Sequence, residues 1–279
     1  MTVHDRPIER EAPAGRGRRG LAGPSLVAVL ALCERDLYVT LRREFLAFLS
    51  QSLLQPIFFL FVFGRVLPEI GAAQGSYGTQ LLPGVIALTL VLTALQNVAL
   101  PLVIEFSFTK EIEDRLLAPI PVAWVAVQKV LIAALRGMVG GVLIIPLGEL
   151  ILPGGVDLSS ASWPGMVAMI VVGALAGACL GLVLGTVVPP NRITVAFGLI
   201  LTPLIFTGAA FYPWQALDSL RWFQILTLAN PMTYVSEGMR GAFTDLPHLA
   251  DGWVVLGLVV SLTAFGWLGV RGFVRRAVD

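Results

Sequence analysis

Six stretches of this chain, residues 45–67, 81–104, 122–152, 166–188, 193–212 and 253–270, are apolar over the length needed to cross a lipid bilayer. A hydrocarbon core of ~30 Å takes about 20 mostly apolar residues wound as a helix. The runs are far longer than barrel strands and do not alternate, so a β-barrel is excluded. Composition points the same way. The chain is 56% hydrophobic and 13% charged, with a mean hydropathy of +0.83, whereas soluble domains carry roughly 25% charged residues. A solvated globular surface cannot be built from this, nor can a disordered chain or, with two cysteines, a disulfide scaffold. A net charge of +1 argues against nucleic acid as a partner. The expected fold is all-α, a polytopic membrane protein with six transmembrane helices across 45–271. Pro56, Pro83, Pro101, Pro146 and Pro203 fall inside these spans and predict kinks covered by neighbouring helices.

Six spans place both ends on one side, and the basic residues say which. Fifteen of the 19 Lys and Arg fall on one face: eight before residue 45, then Lys110, Arg115, Lys129, Arg192, Arg271, Arg275 and Arg276. Arg65, Arg221 and Arg240 lie near the other face and Arg136 lies within the third span. The positive-inside rule therefore predicts that both termini are cytoplasmic, in a bacterial-type cell membrane. No signal peptide is expected, because the first apolar run is broken by Glu34, Arg35 and Asp36. Cys33 and Cys179 read as small packing residues rather than a disulfide.

Four segments are more informative than the spans. Residues 1–23 read as a disordered tail. Over 24–44, Leu26, Leu30, Cys33, Leu37 and Leu41 recur at helical spacing, with Glu34, Arg35, Arg42 and Arg43 on the later turns. That predicts a helix lying on the membrane surface; a seventh span would bury Glu34–Asp36 at high cost. Residues 105–121 carry a short amphipathic helix, Phe108, Ile112 and Leu116 on one side and Glu111, Glu113, Asp114 and Arg115 around the rest, ended by Pro119 and Pro121. Residues 213–252 are too apolar for a free loop and too interrupted for a span, and Asn230-Pro231 divides them into a re-entrant pair of half-helices on the outer side. Within it Glu237 and Arg240 stand at i,i+3 and share a face. Gly173, Gly177, Gly181 and Gly185 form a ridge without side chains on the fourth span, suited to close helix packing. Residues 272–279 read as a cytoplasmic tail.

The chain offers no catalytic constellation. His4 and His248 are far apart, no Cys/His metal spacing exists, and neither lysine ends a glycine-rich phosphate loop, so no metal site and no ATP site are expected. Charges within the spans are few, chiefly Arg136 and Glu149, with Glu105 at the inner end of the second; an acid on another helix is one candidate partner for Arg136.

This arrangement resembles the type-2 ABC transporter permeases from about Pro24 onward. The stretch KEIEDRLLAPIPVAWVAVQKVL beginning at Lys110, and Asn230-Pro231-Met232-Thr233-Tyr234 followed by Met239-Arg240-Gly241, are similar to the family's two recurring signatures. A small residue, usually glycine, that often precedes the first acid is Thr109 or Lys110 here. The resemblance implies a permease with no cofactor of its own. Two copies, identical or paired with a relative, would bind two cytoplasmic ATPase subunits that carry ATP and Mg. Residues 105–118 would then be the coupling helix, with Glu105, Lys110, Glu111, Ile112, Glu113, Asp114, Arg115, Leu116 and Leu117 at the ATPase contact, and 24–44 the gate helix beside it. An amphiphilic substrate, drug-like, lipidic or lipid-linked, would pass between the permeases along Gln51, Gln55, Phe58 and Phe59, Gln96 and Asn97, and Phe206 and Thr207. Two other classes stay open: an ion-gradient carrier, which would show inverted repeats and midplane carboxylates, and a membrane assembly protein without an ATPase.

The charge asymmetry gives a direct expectation. Cysteines placed at Ser159 and Asp218 should react with an impermeant thiol reagent in intact cells; protection of both would reverse the topology.

Overall fold

The computed structural model describes residues 45–72, 77–106, 121–156 and 158–278. The surface helix of 24–44 and the docking segment from Lys110 to Leu117 lie outside the described residues. Among the described residues every regular element is helical. Five helices are long and apolar enough to cross a membrane: α1 (Phe45–Glu69), α2 (Tyr77–Ile104), α3 (Val122–Ile151), α4 (Trp163–Val187) and the last, whose helix runs Asp251–Val278. A shorter apolar helix, α5 (Ile193–Thr207), follows α4. Between α5 and the last helix come a 3-10 turn (Trp214–Leu220), α6 (Arg221–Thr227) and α7 (Pro231–Phe243); the last helix is α8.

α2 is the axis of the bundle. Beyond its first turn, and apart from one stripe, Thr89, Thr93, Gln96 and Asn97, it is apolar, and Val85, Ile86, Leu90, Ala94, Leu95, Ala99 and Leu102 are all buried. A helix hydrophobic on most sides belongs inside a larger body. α4 lies against it because the glycine ridge removes the side chains between them. A Cβ on Gly177 would stand 2.5 Å from the Val91 carbonyl oxygen, and one on Gly181 would collide with that of Leu95. Gly185 faces Ala99 and Leu102, while Gly173 faces Val235 of α7. Close approach of this kind is how helices associate where lipid and side chain are equally apolar.

Two elements differ from the sequence reading. The fifth helix stops at Thr207, so at 1.5 Å per residue it spans only about 22 Å. Residues 208–213 turn instead, with Ala209 at φ +52°, and the chain cannot continue as a helix through that conformation. α8 continues as helix through Arg271, Arg275 and Arg276 to Val278, where a tail was expected. α1 holds Pro56 and, further on, a π turn at Val62–Val66, while Pro83, Pro101, Pro146 and Pro203 lie inside continuous helices.

The α1 surface is largely unburied, with Leu46, Leu54, Phe58 and Phe61 exposed, and Val195, Leu199 and Phe206 are exposed on α5. These faces meet lipid or another protein.

Gly177→Leu should destabilise the folded protein by roughly 1–3 kcal/mol, since added methylenes in a full interface force backbone shifts. Gly198→Leu, on α5 where no atom lies within 4 Å of the added carbon, should leave thermal unfolding in detergent unchanged. Equal behaviour of the two variants would refute the packing argument.

Candidate functional site

Residues proposed for a pathway separate into two groups. The first group is polar. Gln51, Ser52 and Gln55 of α1 face Thr89, Thr93, Gln96 and Asn97 of α2 across a cleft of about 30 Å³, the size of one water. The i,i+4 spacing of Gln51 and Gln55 puts both amides on one side of α1, and both are exposed. Asn97 is held from two directions: its Nδ2 donates to the Thr93 carbonyl at 2.8 Å and its Oδ1 accepts from Arg136 Nη1 at 2.9 Å. Arg136 thus meets an amide on α2.

The second group is aromatic. Phe59 packs on Phe63 and Phe211 with ring centroids 6.1 and 5.0 Å apart, and Phe206 approaches Phe211 at 6.2 Å. Phe211, in the turn after α5, is the residue that joins α1 to α5, and nothing in the sequence singled it out. Its carbonyl accepts from the Tyr77 hydroxyl at 2.8 Å. Phe58 points elsewhere and is exposed. Thr207 is committed to structure: its hydroxyl donates to the Pro203 carbonyl at 2.9 Å and accepts from Asn230 Nδ2 at 2.9 Å.

The turn and the three short helical pieces that follow it are built around α7. Asn230 caps that helix by accepting from the Met232 amide at 2.9 Å, and its Nδ2 donates to the Leu204 carbonyl at 2.8 Å. Thr233 donates to the carbonyls of Thr227 (2.6 Å) and Thr207 (3.2 Å). Side chains of α7 therefore satisfy carbonyls that the ends of α5 and α6 leave open. Deeper in the same helix Glu237 and Arg240 form an ion pair at 3.2 Å with side chains 0% and 1% exposed. Arg240 also donates to the carbonyls of Gln80 (2.6 Å), Ala209 (3.0 Å) and Tyr212 (3.2 Å). Glu237 accepts from the amides of Trp214 (3.0 Å) and Leu249 (2.8 Å). A bare buried pair adds little stability because desolvation offsets attraction; here five backbone groups complete the charges.

At the opposite end Glu105, expected at the ATPase contact, is nearly buried and accepts from Lys129 Nζ of α3 at 2.7 Å. Glu149 is exposed and accepts from the Val156 amide at 2.6 Å, closing the loop after α3. No cluster of three or more metal-ligating side chains occurs among the described residues.

Comparison with known proteins agrees with this architecture. A family model described as ABC-2 type transporter matches residues 27–244, more than half of the chain. The inner membrane transport permease YadH of Escherichia coli strain K12 is 26% identical over 234 residues, covering 80% of this chain and 89% of that protein. YadH of Shigella flexneri matches to the same extent.

Glu237→Ala should cost roughly 3–5 kcal/mol, because it strands a buried guanidinium and two amides. Asp245→Ala, exposed at the same end, should change stability by less than about 0.5 kcal/mol. Thermal unfolding of both variants in detergent distinguishes them, and a wild-type midpoint for Glu237→Ala would contradict the role given to the pair.

Proposed function

The chain belongs to the ABC-2 type transporter family, a multi-pass membrane subunit of a transporter, and from that premise we propose that it is half of the membrane path of an ATP-driven exporter. In this reading α5, too short alone, crosses the bilayer as the fifth of six spans. Residues 213–251 then enter the outer leaflet as a re-entrant segment, and both termini face the cytoplasm. Two permeases, identical or related, stand side by side, and each receives a cytoplasmic ATPase subunit at residues 105–118 beside the 24–44 helix. The substrate is an amphiphile moved outward between them.

The observation that carries this reading is the polar cleft on the largely apolar α1. An amide moved from water to an apolar medium without a partner costs roughly 2–7 kcal/mol. Gln51 and Gln55, both exposed on a helix of membrane-spanning length, are therefore poorly suited to acyl chains. A wet path or a second permease satisfies them. The exposed apolar residues of α1 and α5 supply the area that a second permease would cover, and amides below a ring of phenylalanines suit a molecule with one polar and one apolar end. The sparse chemistry of the chain fits an energy source held on another subunit.

The test lies in the docking segment. Leu116→Ala should weaken co-purification of the ATPase subunit tenfold or more, since buried apolar anchors commonly contribute about 2 kcal/mol or more. Glu111→Ala at the rim should weaken it by less than about 1 kcal/mol, and Glu111→Lys should be worse than Glu111→Ala because reversal adds repulsion. Pull-down from membranes ranks the three; wild-type association in all of them would reduce residues 105–118 to a connector.

A further inference from the structure

The inner ends of α2, α4 and α8 meet at one arginine. Arg271 and Arg275 of α8 are exposed, and Arg271 lies over the Trp267 ring at 5.1 Å from its centroid. This is the pattern of basic and aromatic residues at a membrane interface. Arg276 faces the other way. It shares a face with Gly269, Gly272 and Phe273, at the i, i+3, i+4, i+7 spacing of one helical stripe. A Cβ on Gly269 would stand 2.9 Å from Leu182, and one on Gly272 would stand 2.7 Å from Thr186, so both glycines let α8 lie close to α4. Phe273 is fully buried.

That approach brings Arg276 Nη1 to the last carbonyls of α4: Gly185 at 3.0 Å, with Thr186 at 3.3 Å and Val188 at 3.4 Å. A helix C-terminus presents open carbonyls and the negative end of the dipole, and a cation suits both. The same guanidinium lies 4.9 Å from the centroid of the Phe106 ring, within cation–π range, and Phe106 meets Phe273 edge-on at 5.4 Å. Phe106 is the last described residue beyond α2, at the base of the 107–120 segment. Its neighbour Glu105 is fixed to Lys129 of α3. The base of that segment is thus gripped from α3 on one side and from α8 on the other.

We infer that Arg276 is a positioning residue for coupling: through Phe106 it fastens the base of the 105–118 segment to the inner ends of α4 and α8. A push received by that segment then moves α2, α3, α4 and α8 as one body, while α1 and α5, which are outside this clamp, are left to move against it. The inference rests on the reading of 105–118 as the ATPase-docking segment. Topology alone would be served by any cation at this end. Capping several carbonyls while lying over a ring suits the planar, five-donor fork of arginine better than the point charge of lysine.

The test uses the full chain purified with the ATPase subunit that accompanies it, and reads hydrogen–deuterium exchange over residues 180–188 and 266–278 with and without ATP and vanadate. Trapping should alter exchange in both regions of the wild type. In Arg276→Lys the ATPase should still co-purify and hydrolyse ATP, while the trapping-dependent change falls to background; in Phe106→Leu the change per ATPase subunit retained should fall likewise. Phe106→Leu keeps the bulk of the side chain and leaves the α4 carbonyls capped, so it reports on the link even where Arg276 variants fold poorly. A change of wild-type size in Phe106→Leu, or its loss only together with the ATPase, would overturn the inference, as would an unresponsive wild type. Failure of the wild type to retain any ATPase is a separate result, visible before any variant is made, and would defeat the docking reading itself.

Discussion

The ion pair between Glu237 and Arg240 is the interaction on which the α7 end of this protein depends. In a bilayer each backbone group that leaves a helix must find its partner inside the protein, because no water is there to supply one. Between Thr207 and Asp251 the chain breaks its helix repeatedly, at the turn of 208–213, at the 3-10 turn, at Asn230 and at 244–250. Two side chains one turn apart on α7 reach most of these breaks. Arg240 collects carbonyls from the turn and from the first turn of α2, and Glu237 collects the amides of Trp214 and Leu249. The pair also holds Ala209 in a left-handed conformation, which costs of order 1–3 kcal/mol and persists only where its surroundings fix it.

This knot and the contacts of Arg276 at the opposite end enclose a middle that is held differently. There α2 is surrounded by apolar side chains and by helices whose glycines admit its backbone. Rigidity is concentrated in α2, α3, α4, α7 and α8. α1 and α5 carry the exposed apolar faces and the polar cleft, and meet chiefly through phenylalanine rings, which can part without breaking a hydrogen bond. A transporter needs such a division: one body that transmits force, and surfaces that separate.

Much of this was legible in the residues and some was not, for physical reasons. Helical character and family followed from run length, composition and two short motifs, since lipid leaves few alternatives. The i,i+3 spacing of Glu237 and Arg240 put them on one face, but spacing carries no information about which distant carbonyls that face will meet. Gln51, Gln55, Gln96 and Asn97 stood out because amides are rare in such company. Phe211 did not, being one phenylalanine of 15, and its position depends on α5 ending at Thr207. That end was missed because residues 208–212 remain apolar, and hydropathy does not register a left-handed alanine. Arg276 was counted with Arg271 and Arg275 as a topology signal; its inward turn follows from Gly269 and Gly272, which count for nothing in a charge tally.

The central claim is that the energy for transport reaches this chain from a separate ATPase. Native mass spectrometry of the protein extracted in mild detergent, with vanadate-sensitive ATP hydrolysis measured on the same sample, tests it most directly. The account predicts an assembly of two permease chains with two ATPase subunits that hydrolyses ATP. A permease assembly with no ATPase subunit, in membranes where the protein transports substrate on an ion gradient alone, would contradict it.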